Sequence, residues 1–112
     1  RSGGGWASNC VGRPHDFSAC LKVRDGRPEV NMSRWNLDDD GAEAWIIWAR
    51  SALPAFIRQL RHRSRDQEYT TFYEVNFAEN ELGDVGVHRL LCFFYEQGIA
   101  MRILKLFKNR LR

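Results

Sequence analysis

The chain nearly repeats itself. Residues 75–91, VNFAENELGDVGVHRLL, align without a gap on residues 30–46, VNMSRWNLDDDGAEAWI, which lie 45 positions earlier. Val30 matches Val75, Met32 matches Phe77, Leu37 matches Leu82, Asp39 matches Asp84 and Gly41 matches Gly86. A third start, LKLFKNRLR at 104–112, follows 29 positions after the second. There Leu104, Leu106, Asn109 and Leu111 take the places of Val75, Phe77, Asn80 and Leu82. Self-similarity at such a period marks a chain of stacked units, each burying its apolar face on the next. It constrains shape far more tightly than function.

Local patterns give each unit its elements. Tyr73, Val75 and Phe77 alternate with polar residues, as a strand does, and Ile103, Leu104 and Leu106 begin another. Trp45, Trp48, Ala49, Ala52, Leu53, Phe56, Ile57 and Leu60 recur at steps of three and four, the stripe of an amphipathic helix. Asp38, Asp39 and Asp40 stand where that helix starts and suit its positive end. Pro54 predicts a kink or a split. Val87, Leu90, Leu91 and Phe94 form a second helical stripe, with Asp84 as the expected N-cap, Gly98 as the C-cap and Cys92 as a core residue. Upstream, Asp25-Gly26 between two alternating apolar stretches signals a hairpin. Its loop is expected to exceed two residues, because Arg27-Pro28 intervenes and proline belongs on a loop or edge. Strands separated by helices are expected to run parallel.

The pattern V-x-F-x-x-N-x-L-x-x-x-G at 75–86, continued by LKLFKNRL, resembles a leucine-rich repeat, and the spacing of 29 with a helical second half resembles the ribonuclease-inhibitor subclass. The resemblance covers residues 28–112, with units starting near 28, 73 and 102. It implies an α/β solenoid fragment: a horseshoe with short parallel strands on the concave side and helices on the convex side. In such a family Asn80 and Asn109 would form an inward asparagine ladder. The first unit departs from the pattern, with Trp35 where the asparagine belongs and Asn36 one place later. Residues 1–16 read as a flexible Gly/Ser-rich arm. Residues 17–112 read as the repeat segment, truncated at its C-terminus and open to further repeats beyond residue 112.

By the resemblance, Asn31, Ser33 and Arg34, then Asn76, Ala78 and Glu79, then Lys105, Phe107 and Lys108 would line or rim the concave face and bind a protein partner. The expected function is therefore a non-catalytic protein-interaction scaffold. The alternative is a nucleic-acid-binding module that uses the Arg-rich stretch 58–65 (Arg58, Arg61, His62, Arg63, Arg65) and the basic N-terminal arm. The formal charge of +3 favours anionic partners mildly and falls short of a dense basic block. No catalytic motif stands out, so no enzyme activity and no cofactor are expected. Cys10, His15 and Cys20 are the one cluster with ligand chemistry, but a fourth zinc ligand is not evident, so no metal is expected. Three cysteines without a close pair point to cytoplasm or another reducing intracellular compartment. No run of about 18 apolar residues exists, so no membrane span is expected.

Overall fold

A computed structural model describes residues 16–63 and 71–110. The expected arm, with Cys10 and His15, lies outside the described residues but for Asp16; so do residues 64–70, with Arg65, and Leu111.

The described chain opens with a short 3-10 turn, Ser18–Cys20, and then strands β1 (Leu21–Arg24) and β2 (Arg27–Asn31). These pair antiparallel with Arg24 opposite Arg27, so the connection is Asp25-Gly26 alone. Both loop residues have positive φ, 52° and 75°, as the tightest hairpin turns demand. The expectation of a longer loop was wrong, and Pro28 lies inside β2, buried, opposite Val23. Strand chemistry explains why proline is tolerated there. The closing pair of a two-residue hairpin is hydrogen-bonded, so the next pair is not, and the missing N–H leaves no gap toward β1. Toward the third strand the ladder starts one residue later, at Glu29.

Helix α1 (Asp39–Arg63) begins where Asp38 Oδ1 accepts the Gly41 N–H at 2.8 Å. Asp39 and Asp40 occupy its first turn, and Arg61, His62 and Arg63 its last, each set complementing the helix dipole. Pro54 neither splits nor ends the helix. The carbonyl it frees belongs to Arg50, an exposed residue that water can reach. Strand β3 (Thr71–Asn76) leads to helix α2 (Asp84–Glu96) and strand β4 (Ala100–Lys105). Asp84 is not the cap of α2. Gly83 holds that position without a side-chain bond of its own, and its N–H donates to Asp39 Oδ1 at 2.7 Å. The start of α1 thus caps the start of α2. At the other end Gly98, φ 69°, donates to Tyr95 O, and Ile99 donates to Phe94 O, both at 3.0 Å. That is the paired closure of a helix ending in a left-handed glycine.

The sheet order is β1-β2-β3-β4, with β2, β3 and β4 parallel and β1 antiparallel. Val30 stands beside Val75 and Val75 beside Leu104, the offsets of the sequence alignment. The horseshoe solenoid expected from the resemblance is not what forms. The protein is a small α/β fold with a mixed four-stranded sheet and two helices. The hairpin folds β1 back along β2 and covers that margin. The two helices, of 25 and 13 residues, close over one core rather than forming equal stacked layers. That core is aromatic and shared. The Trp45 ring lies 5.1 Å from Phe77, 5.8 Å from Phe93 and 5.7 Å from Phe94.

Candidate protein interface

Both helices lie on one side of the sheet, and the other face and the β4 margin carry the candidate site. Three equivalent corners hold its strand ends. Arg34, Glu79 and Lys108 each adopt left-handed backbone, φ 62°, 60° and 59°. For a non-glycine residue this costs about 1–2 kcal/mol. Asparagines offset that cost. Asn80 is buried, and its Oδ1 accepts the N–H groups of Trp35 and Leu37, each at 3.0 Å. Its amide donates to Met32 O at 2.9 Å, Phe77 O at 3.0 Å and Ala78 O at 3.2 Å. Asn109 repeats the arrangement with the Leu82 N–H at 3.0 Å and the carbonyls of Phe77 and Leu106 at 2.9 Å. Trp35 stands in the asparagine place of the first corner and packs on Phe17, with ring centroids 5.4 Å apart.

Across the open face the side chains fall into rows. Asn31, Asn76 and Lys105 are register neighbours. Asn31 Oδ1 accepts the Ser33 N–H and hydroxyl, and Asn76 Oδ1 accepts the Ala78 N–H at 2.9 Å. Both carboxamides are thereby held by their oxygens. At the rim Arg34 Nε lies 3.0 Å from Glu79 Oε1, while Lys108 and Phe107 are exposed. Ala78, expected on the binding face, is buried, and its carbonyl accepts the Arg34 N–H.

Sequence reasoning does not single out several residues of the sheet. Glu29 and Glu74 are register neighbours and both buried. Lys105 Nζ lies 3.4 Å from Glu74, and Arg24 Nε lies 4.0 Å from Glu29. Arg24 and Arg102 each lie over the Tyr73 ring, at 4.9 and 5.4 Å. A signal for the acids was present, since the tripeptide Glu-Val-Asn occurs at both 29–31 and 74–76. Ile103, beside Glu74, adds an exposed apolar side chain.

The remaining candidates fall elsewhere. Arg58, Arg61, His62 and Arg63 are exposed on the last turns of α1. Cys20 is buried, and its thiol is pushed up to about 11, chiefly by burial, with the Trp45 indole opposing the shift. The Trp45 indole N–H is buried with no hydrogen-bond partner among the described residues. Cys92 is not a core residue. It is exposed, with Sγ 3.5 Å from His88 Nε2, beside a groove of about 320 Å³ between α1 and α2. A second cleft, about 300 Å³, is lined by Asp38, Asp39, Asp40, Glu81, Gly83 and Arg110. Among the described residues no group of three or more His, Cys, Asp or Glu side chains is placed to hold a metal ion, and no helix is long and apolar enough to cross a membrane. In comparisons with known proteins, no family model, no curated protein and no solved structure matches the chain.

Proposed function

We propose that this domain is a non-catalytic module that binds another protein through the open face of its sheet and the β4 margin. The observation that carries the reading is one short stretch with exposed apolar side chains on both faces of the sheet margin. Ile103, Leu104 and Phe107 are 38, 41 and 54 % exposed, whereas the apolar residues of β2 and their register partners in β3 are buried. Exposed aromatic and aliphatic side chains rimmed by charge are the usual anchors of a protein contact. The rows beside them suit recognition. Asn31 and Asn76 have their oxygens fixed, and their amide N–H groups have no acceptor among the described residues, next to Lys105. Glu29, Glu74 and Glu79 each stand beside a basic side chain, an arrangement that selects partners by complementarity more than it adds raw affinity.

Site-specific photocrosslinking tests the proposal. A photoreactive residue is placed at Asn76 on the open face or at Tyr95 on the outer side of α2, in the cell that makes the protein. A protein adduct from position 76 and none from 95 is expected. The purified adduct partner should then bind the intact domain and lose binding to Phe107→Asp. Equal adducts from both positions, adducts to nucleic acid, or unchanged binding by Phe107→Asp would overturn the reading.

A further inference from the structure

We propose that β4 takes up an extended, acidic, apolar-alternating peptide segment of a partner protein as a fifth strand. The proposal rests on the protein-binding reading and names its ligand class. The backbone is arranged for it. Among the described residues, strand β4 ends the sheet and pairs only with β3. The Phe77 N–H donates to Lys105 O and the Glu79 N–H donates to Phe107 O, both at 2.9 Å. The peptide groups of Lys105 and Phe107 therefore face β3, and strand alternation turns those of Arg102 and Leu104 outward. The corner repeats the pattern. Phe77 O holds two amide hydrogens, from Asn80 and Asn109, whereas its counterpart Leu106 O holds one, from Asn109.

Side chains specify the occupant. Leu104 continues the row of Val30 and Val75, which are both 0 % exposed, yet it is 41 % exposed itself. An apolar residue on an added strand would extend that row. Residues 100–110 hold Arg102, Lys105, Lys108 and Arg110 and no acidic residue. Lys105 already shows the preferred neighbour, Glu74 on the adjoining strand. A second copy of β4 would set cations against cations, which is unfavourable for directly opposed residues. An acidic strand matches the charge, and main-chain bonding with alternate side-chain contacts is the known physics of strand addition.

The probe is a synthetic peptide that alternates valine and glutamate, measured by calorimetry and by amide exchange on the intact chain. Binding is expected, with new exchange protection at the N–H groups of Arg102 and Leu104. A valine–lysine peptide should not bind, and Lys108→Glu should weaken the acidic peptide roughly tenfold. Two N-methylated versions leave the protein untouched. Methylation of every second amide should abolish binding in one register and spare it in the other. Equal binding of both N-methylated peptides, protection located away from β4, or no binding at all would overturn the proposal. An adduct from position 76 together with peptide failure would remove the added strand and leave the open-face reading intact. Peptide success without that adduct would support the added strand while removing the open face.

Discussion

Truncation of Asn80 should be among the costliest single changes in the domain, and its cost follows from the bonds it breaks. The carboxamide accepts from Trp35 and Leu37 and donates to Met32, Phe77 and Ala78. In Asn80→Ala the Leu37 N–H stays buried and loses its acceptor, about 1–3 kcal/mol. The Trp35 N–H is half-buried and reaches water, so it forfeits about 0.5–1 kcal/mol. The Met32 and Ala78 carbonyls add about 1 kcal/mol together, while Phe77 O keeps the Asn109 amide. The sum, about 2.5–5 kcal/mol, is a large part of the 5–15 kcal/mol typical of a domain. Asn109→Ala breaks fewer bonds at a half-buried position and should cost about 1–2 kcal/mol. Urea unfolding followed by tryptophan fluorescence measures both, with the m-value unchanged. Asn80→Asp should be no better than alanine, because it restores two accepted bonds and turns an oxygen toward three carbonyls. Equal costs for Asn80→Ala and Asn109→Ala, or a cost below about 1 kcal/mol for the former, would refute the accounting.

Three further outcomes are expected. Gly86→Ala should destabilise by about 1–3 kcal/mol in thermal or urea unfolding, because a Cβ there would stand 2.3 Å from Asp39 Oδ1 and 3.2 Å from Asp39 Cα. Stability should fall as pH rises: the Cys20 thiol, ordinarily near 9.0, is pushed up to about 11 in the fold. Its contribution is complete below pH 9 and is lost between 9 and 11, about 2–3 kcal/mol, a slope that Cys20→Ala should flatten in unfolding measured across that range. Lys108→Gly should stabilise by about 0.5–1 kcal/mol, since glycine relieves the 59° φ and returns part of the gain as chain entropy; a loss of stability in the melt would contradict this.

Lateral register was legible in the sequence; architecture was not. Val30, Val75 and Leu104 are aligned by spacing alone, and the sheet makes them neighbours. Spacing reports which residues are equivalent, however, and not what closes the ends of the row. One end is closed by the Asp25-Gly26 turn, which residue type alone makes look longer because Pro28 follows it. The side of β2 on which its N–H was needed decided the matter. Helix α2 shows a similar limit. The stripe that packs is Val87, Leu90, Phe93 and Phe94, while Leu91 and Cys92 fall on the outer side. In a run as apolar as LLCFF, periodicity alone does not select the buried face. Glu29 and Glu74 were hidden for the opposite reason: charged residues in a strand read as solvated, yet each is covered by its neighbours and faces a basic partner. Nothing local marks Asp39 as the acceptor at the start of α2, because that bond joins residues 44 apart.

Asn80 follows β3 but completes the bend after β2, and Asn109 follows β4 but completes the bend after β3. Each bend is thus finished by a later stretch of chain. On the ribosome, the bend at Met32–Leu37 would wait for more than forty further residues to emerge before its buried amide found an acceptor. The dependence runs one way, so shortening the chain from its C-terminal side would undo the preceding bend.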